Sequence, residues 1–168
     1  MVECRGLDGL NKWGEFIKIE DSGWKGENKS SIKKAAPEFQ KYYSNLIRLL
    51  ADKGALSIYF LELNNMPIAG VFGYFDGDIY HYAKIGYDEL YRDLSPSNLL
   101  ILFIIENLTQ KYPNVKMFHM FPWDYDYKHR YVNMAAACYK TIIYSKTIRG
   151  TSLYMFSKIM ERIKHFKL

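Results

Sequence analysis

The sequence predicts an α+β domain with a mixed central sheet, an antiparallel meander and a buried crossover helix. Three consecutive segments rich in β-branched and aromatic residues are joined by short polar links at Asn64-Asn65 and Asp76-Gly77, which predicts three antiparallel strands. Helical periodicity precedes these segments, and a strongly apolar helical segment at 96–111 follows them before another apolar strand. This order is typical of an α+β fold with one crossover in its middle.

Length and composition indicate one globular domain that spans residues 1–168. The chain is 49% hydrophobic and 24% charged, so it can bury a core and does not have the composition of a disordered protein. The net charge of +5 is spread along the chain, with its densest basic run near the end. This balance favours anionic ligands, but it lacks the clustered basic stripe that is typical of nucleic-acid binding.

The N-terminal residues and the cysteines indicate a soluble, cytoplasmic protein. Residues 1–10 contain acidic residues and glycines where a secretion signal has an apolar run. The longest apolar run, at 99–105, is too short to cross a bilayer. Cys4 and Cys138 are too few for a disulfide framework and lack the spacing of a metal site, which fits a reducing compartment.

Two helices are expected before the strands. Apolar residues at helical spacing predict a short helix over 10–20, which an exposed, lysine-rich loop follows over 24–36. Pro37 opens a second helix that ends near Lys53, with Gly54 as its stop. The apolar side of this second helix is formed by Phe39, Tyr42, Tyr43, Leu46, Leu49 and Leu50.

The strands of the meander are expected at 55–63, 67–75 and 79–87. A hydroxyl at Ser95 and a proline at Pro96 then predict an N-capped helix that runs to about Lys111. Because the first turns of this helix are apolar on all sides, we expect it to be buried against the sheet. The remaining elements are a strand over 115–121, a short helix near 127–136, a strand near 139–148, and a tail helix from Thr151 with Leu153, Phe156, Ile159, Ile163 and Phe166 on one face.

Three motifs resemble a known family, and the order of elements is that of the GNAT acyltransferases. The motifs are DSGWKG over 21–26, GYDELY over 86–91 leading to SPSNLL over 95–100, and DYDYK over 124–128. Together they look like the CelD-like acetyltransferase family, a GNAT branch related to the FemAB aminoacyl transferases. The resemblance runs from about residue 10 to about residue 148, and it implies the GNAT fold.

The sequence departs from that family in two respects. Family members usually carry another GNAT-like half upstream, so this chain is either the C-terminal half of a two-domain parent or a shortened relative. The family also tends to have glycine after the proline of its Ser-Pro element, where this chain has Ser97. A side chain therefore occupies space that glycine would leave open to a ligand.

The resemblance implies that acetyl-CoA or another acyl-CoA binds along the third strand of the meander and at the start of the following helix. The unpaired N–H groups and partial positive charge of a helix N-terminus suit a pyrophosphate. The alternatives are that Ser95-Pro96 only caps the helix, that Gly86 is a bulge or a close-packing glycine, and that Tyr87, Asp88 and Tyr91 brace the loop. The expected cofactor contacts are Ile85, Gly86, Tyr87, Ser95, Pro96, Ser97, Asn98 and Leu99.

The catalytic candidates are less sharply defined, because acyl transfer to an amine requires little more than a held thioester and a route for the proton. The resemblance gives Lys128 a role at an oxyanion or a donor phosphate; the alternative is a solvated lysine at the start of a helix. His81 and His119 lie where cleft and core are both possible, and no histidine pair has ligand spacing, so we predict no metal. The candidate bases are Glu62, Asp88 and Asp126, and the candidate acids are Tyr82 and Tyr87.

The sequence therefore favours an N-acyltransferase that moves an acyl group from acyl-CoA to an amine of a small molecule or a cell-envelope or polysaccharide precursor. A FemAB-like transferase that uses aminoacyl-tRNA and a non-catalytic interaction domain are the alternatives. The apolar face of the tail helix further predicts a homodimer, since large uncovered apolar patches tend to find a partner.

Overall fold

The computed structural model describes residues 1–22, 26, 30–121, 126–135, 137 and 141–165, with residues 161–165 described by their backbone alone. The part of the chain up to residue 123 and the part from residue 124 form separate compact units. The helices and strands, in chain order, are β1 (Val2–Arg5), α1 (Gly6–Ser22), α2 (Pro37–Asp52), β2 (Leu56–Leu63), β3 (Met66–Asp76), β4 (Ile79–Tyr87), a 3-10 helix (Glu89–Leu94), α3 (Pro96–Lys111), β5 (Met117–His119), a second 3-10 helix (Asp126–Arg130) and α4 (Ile148–His165).

The first unit is built on a five-stranded sheet of order β1-β2-β3-β4-β5. The first four strands pair antiparallel with their sequence neighbours in the sheet, and β5 pairs parallel to β4 after the crossover through α3. The predicted mixed sheet and its antiparallel meander are therefore confirmed.

The first link of the meander lies at Asn64-Asn65 as predicted, and the second lies at residues 77–78, one residue later than the predicted Asp76-Gly77. Asn64 and Asn65 have φ angles of 53° and 62°, and Gly77 has a φ of 58°. Asparagine and glycine tolerate this left-handed region, and a turn with positive φ matches the right-handed twist of the strands it joins. The turns set the register next to them, but each hairpin contains one register shift farther along, at Leu61/Glu62 and at Phe72/Gly73, so the predicted tight register does not extend over the full strands.

Helices cover both faces of the sheet. On one face α1 and α2 pack a cluster of buried side chains that includes Phe16, Ile47 and Phe72, all 0% exposed. On the other face α3 contributes Leu100 and Ile104, which are also fully buried. Burial of these apolar side chains provides the main driving force for folding of this unit.

Several predicted boundaries are corrected. The first helix begins at Gly6 rather than at residue 10, and the strand Val2–Arg5, which the sequence reading missed, forms the edge of the sheet beside β2. The predicted exposed loop over 24–36 contains three buried residues within its described part, Gly26, Ser31 and Ile32. The strand expected at 115–121 is shorter, at Met117–His119.

The helices are also less uniformly buried than predicted. Leu99, Leu102 and Phe103 of α3 are exposed, because the helix faces the sheet on one side only. Phe39 and Tyr42 of α2 are exposed as well, and their rings pack against one another and against the ring of Tyr43.

The second unit contains the 3-10 helix and α4. The short helix expected near 127–136 is the 3-10 helix Asp126–Arg130, and residues 141–147 form no strand, so the strand predicted near 139–148 is wrong over its described part. The tail helix is confirmed but starts earlier, at Ile148, and it exposes Leu153, Phe156 and Ile159. The side chain of Ile163 and the whole of Phe166 lie outside the described residues. No helix in the described ranges is long and apolar enough to cross a membrane.

Candidate functional site

The parallel pairing between β4 and β5 is short and leaves most of β4 beyond it. Ile79, Tyr80 and His81 pair with Met117, Phe118 and His119, and no further pairing between described residues continues this register. We call residues 82–87 of β4, which lie beyond this described pairing, the distal half of β4, and we call the place after His81 and His119 where the described pairing ends the fork.

A β-bulge bends β4 at the fork. Gly73 of β3 is opposite Tyr82, whereas Phe72 is opposite Lys84, so Ala83 is the extra residue on β4. A bulge increases the local twist and bends the strand that carries it. The bulge therefore turns the distal half of β4 away from the direction of its paired half.

Two histidines meet where the pairing ends. The Nδ1 atoms of His81 and His119 are 3.0 Å apart, and the rings are nearly perpendicular. Tyr74 stacks on His81 with a centroid distance of 4.6 Å, and the Phe121 ring lies within 6 Å of both imidazoles. A hydrogen bond between two Nδ1 atoms needs one donor and one acceptor. One ring therefore carries its proton on Nδ1 and donates it to the unprotonated Nδ1 of the other ring.

The electrostatics of this pair favour its neutral form. Burial, and secondarily the neighbouring His119, lower the pKa of His81, while Asp76 at the end of β3 opposes this shift. Two positive charges at this separation would repel each other strongly, so the second protonation of the pair is disfavoured. The pair is thus available as a base at neutral pH.

Helix α1 packs directly against the distal half of β4. A Cβ atom at Gly86 would lie 2.5 Å from the Cα atom of Glu20, so only glycine fits between this strand and the helix. The Glu20 carboxylate is 1% exposed, accepts a hydrogen bond from the Ile32 N–H at 2.9 Å and lies 3.4 Å from the Lys84 ammonium. Of the two alternatives for Gly86, close packing is therefore the one that the geometry supports.

The loop from β4 to α3 is held by its own hydrogen bonds. Asp88 accepts a hydrogen bond from the Leu90 N–H at 3.1 Å and caps the 3-10 helix, as the bracing alternative expected. Ser95 has a φ of 48°, and its side chain makes no capping hydrogen bond to α3, so the predicted hydroxyl cap is wrong. The Ser97 hydroxyl oxygen is buried and has no hydrogen-bond partner among the described atoms.

The predicted cofactor residues lie on two elements that follow one another along the chain. Ile85, Gly86 and Tyr87 belong to the distal half of β4, and the 3-10 helix connects them to residues 95–99 at the N-terminus of α3. Pro96 is buried there, whereas Leu99 is exposed. Burial, followed by the hydrogen bond to Glu89, raises the pKa of Tyr87, which keeps its phenol protonated at neutral pH.

The predicted catalytic residues belong to both units. Tyr82 is buried near Phe118, and Glu62 is exposed on β2, which is separated from β4 by β3. Asp126 is exposed in the second unit, and Lys128 is buried there at 9% exposure, so the alternative of a solvated lysine is wrong. The described residues contain no cluster of three or more His, Cys, Asp or Glu side chains that could hold a metal ion.

The sequence reading did not recognise the histidine pair as a site. Both histidines lie in segments predicted as strands, which was the available signal, but 38 residues separate them. Only the parallel register of β4 and β5 makes them neighbours, because it places His81 opposite His119.

Comparisons with known proteins agree with this architecture. The family described as acetyltransferase (GNAT) domain matches residues 5–129. A possible acetyltransferase from Clostridium difficile 630 is similar in structure, with a TM-score of 0.57 and 13% identity over 87% of this chain and 97% of that one. An aminoglycoside acetyltransferase from an uncultured soil metagenomic sample, solved in complex with sisomicin, has a TM-score of 0.54 and 13% identity over 84% of this chain and 95% of that one.

At such low identity these structural likenesses show the fold alone, and they confirm the expected GNAT fold. No curated protein matches the chain.

Proposed function

The chain belongs to the GNAT acetyltransferase family, and from that premise we propose that it transfers an acetyl or other acyl group from acyl-CoA to an amine. The amine belongs to a small molecule or to a cell-envelope or polysaccharide precursor. The observation that carries this proposal is that the described pairing of β4 to β5 ends after His81, and that the chain leads from the distal half of β4 to the N-terminus of α3.

The distal half of β4 suits the pantetheine arm of acyl-CoA. This arm is extended and contains two amides, which can hydrogen-bond to a strand edge as an added strand does. Ile85, Gly86 and Tyr87 are the contacts we propose, with the thioester toward the fork. The bend at the Ala83 bulge supports this arrangement, since it separates β4 from the line of β5.

The N-terminus of α3 suits the pyrophosphate of the same molecule. The positive end of the helix dipole lies there and attracts anions. Pro96 has no N–H, and the N–H groups of Asn98 and Leu99 donate to the Ser95 carbonyl oxygen at 3.0 and 3.2 Å, so the dipole carries most of this attraction. Ser97 replaces the glycine that the CelD-like family tends to have, and its buried hydroxyl can donate a hydrogen bond to a phosphate oxygen. We propose that Ser95, Pro96, Ser97, Asn98 and Leu99 form this contact, and we retain the CelD-like relationship as part of the proposal.

Binding of CoA species is the direct test of this function. We expect acetyl-CoA and desulfo-CoA to raise the melting temperature, because a ligand that binds only the folded state at 100 times its Kd stabilises that state by about 2.7 kcal/mol. A tRNA pool serves as the competing donor. Stabilisation by tRNA alone would favour the FemAB-like alternative, and no shift with any CoA species at millimolar concentration would reject the proposal.

We also retain the homodimer as a proposal. Leu153, Phe156 and Ile159 of α4 are each more than half exposed, and a self-complementary twofold contact would cover them. Size-exclusion chromatography with light scattering at micromolar concentration distinguishes a dimer from a monomer, and a clean monomer would reject this part.

A further inference from the structure

The histidine pair lies at the fork itself, on the last paired residues of the two strands. His81 ends the paired part of β4, and His119 is its partner at the end of β5. Both side chains are half-buried rather than enclosed in the core. Any group that reaches the fork between these strands therefore comes close to both imidazoles.

The contact between the two Nδ1 atoms determines whether Nε2 of each ring carries a proton. The ring that donates its Nδ1–H has an unprotonated Nε2, because a neutral imidazole carries one proton. The ring that accepts at Nδ1 carries its proton on Nε2 instead. The neutral pair therefore presents one basic nitrogen, and the partner ring stabilises the charge that forms when this nitrogen takes up a proton.

The surroundings hold the two rings in place and contribute little opposing charge. The rings of Tyr74 and Phe121 pack against the pair from β3 and from the end of β5, which limits rotation of the imidazoles. The Asp76 carboxylate on β3 is the charged group of the described residues whose field acts on His81. Its negative charge favours the protonated state and so supports proton uptake.

We propose that His81 and His119 act together as the general base of acyl transfer. This inference rests on the proposed function and deepens it, because it assigns the proton-accepting group that the motifs do not identify. General bases are most often histidines whose proton uptake lies near the working pH.

Acyl transfer with this base proceeds in two stages. The amine nitrogen bonds to the thioester carbonyl carbon, and its proton moves to the basic Nε2 of the pair. The positive charge is shared through the Nδ1 contact while the tetrahedral intermediate exists. The carbon–sulfur bond then breaks, and the same Nε2 returns the proton to the departing sulfur, so the products are the amide and the CoA thiol.

Asparagine substitutions at His81 and at His119 test the role of each imidazole separately. An asparagine side chain can replace the Nδ1 hydrogen bond but has no counterpart of Nε2. We expect the asparagine variant of the ring that carries the basic Nε2 to lower kcat by about 100-fold or more, the usual contribution of general base catalysis. The variant of the partner ring should lower kcat less, because asparagine keeps the Nδ1 contact but stabilises the imidazolium less well than an imidazole does. Binding of desulfo-CoA, followed by thermal shift, should stay unchanged in both variants. Tyr74→Phe, which keeps the ring stacked on His81, is the matched control and should retain its rate.

The assay measures thiol release from acetyl-CoA with a panel of primary amines that includes sisomicin, and separately with hydroxylamine. Hydroxylamine is largely unprotonated at neutral pH, so its reaction has less need of a base and should be less impaired in the asparagine variants. The wild-type rate with ordinary amines should fall as the pH drops through the lowered pKa of His81, because the protonated imidazole cannot accept a proton.

A titration of the imidazole nitrogens by NMR gives a second readout that does not depend on turnover. The pKa of His81 should differ between the wild type and His119→Asn, because the neighbouring imidazole is one of the causes of its lowered pKa. An unchanged His81 titration in His119→Asn, or normal kcat in both asparagine variants, would overturn the inference while leaving acyl transfer intact. Absence of any wild-type transfer would instead reject the proposed function, and the inference with it.

Discussion

Two polar clusters lie on opposite faces of the same sheet, and they differ in how completely their hydrogen bonds are satisfied. On the α3 face, the Glu3 carboxylate accepts hydrogen bonds from the hydroxyls of Tyr59 and Tyr112 at 2.9 and 2.8 Å and from the Asn107 amide at 3.2 Å. The Asn107 amide also donates to the Tyr59 hydroxyl at 3.0 Å. We call these four residues the Glu3 cluster.

On the α1 face, the histidine pair contains a single hydrogen bond between two rings that can each gain or lose a proton. The Glu3 cluster, by contrast, joins one acceptor group to three donors on β2, on α3 and just after α3. A satisfied network of this kind fixes the positions of the elements it connects. The comparison indicates that the Glu3 cluster stabilises the fold, whereas the histidine pair can accept and donate protons.

The phenols of the Glu3 cluster support this division. Burial, with the Tyr80 and Glu3 charges, raises the pKa of Tyr59 far above its usual value, so this hydroxyl stays a donor throughout the physiological range. Burial likewise raises the pKa of Tyr112. Neither phenol loses its proton near neutral pH. A general base, by contrast, must gain and lose a proton in this range.

The largest effect on stability is expected for Glu3→Ala. The substitution leaves the hydroxyls of Tyr59 and Tyr112 without their acceptor and removes one of the two acceptors of the Asn107 amide, and we expect a loss of about 3 kcal/mol in the free energy of unfolding. Urea denaturation measures this loss, and kcat below the unfolding temperature should remain unchanged. Glu62→Ala, at an exposed position of β2, is the matched control and should change stability little. A large loss of kcat in folded Glu3→Ala would contradict the proposal that the Glu3 cluster serves stability and the histidine pair serves catalysis.

A smaller loss is expected for Gly86→Ala on the α1 face. The new methyl group would meet the backbone of Glu20, which cannot move without displacing α1, so we expect about 2 kcal/mol of destabilisation. Gly14→Ala is the control, because a Cβ atom there meets nothing within 4 Å, and a helical glycine gains about 0.5–1 kcal/mol on this change. If both variants have equal stability, α1 does not pack on β4 as described.

The smallest effect on stability is expected for Lys128, whose role in turnover remains a proposal. Because its side chain is buried, Lys128→Met is a better test than alanine, since methionine keeps the apolar stem. We expect the melting temperature to be nearly kept and kcat to fall about tenfold, which corresponds to about 1.4 kcal/mol of transition-state stabilisation. A normal rate would reject the electrostatic role, and a large drop in melting temperature would assign Lys128 to folding.

Part of the candidate site could be read from local sequence. The hairpin links and the proline at the start of α3 are local signals, so the strand 79–87 and the helix start at Pro96 were predicted at their observed positions. The Ser95 cap failed because the positive φ of this residue directs its side chain away from the helix N–H groups. The strand expected near 139–148 failed because β-branched and aromatic composition does not by itself supply a partner strand.

The sequence by itself determined the meander, the helices around it and the residues available for chemistry, since turn residues and hydrophobic period act over a few positions. The tertiary structure decided which of these residues meet. Val2–Arg5 forms the sheet edge because β2 offers it a partner, and His81 faces His119 because a crossover brings β5 parallel to β4. Contacts over such separations depend on how whole elements pack and pair, and no local pattern contains that information.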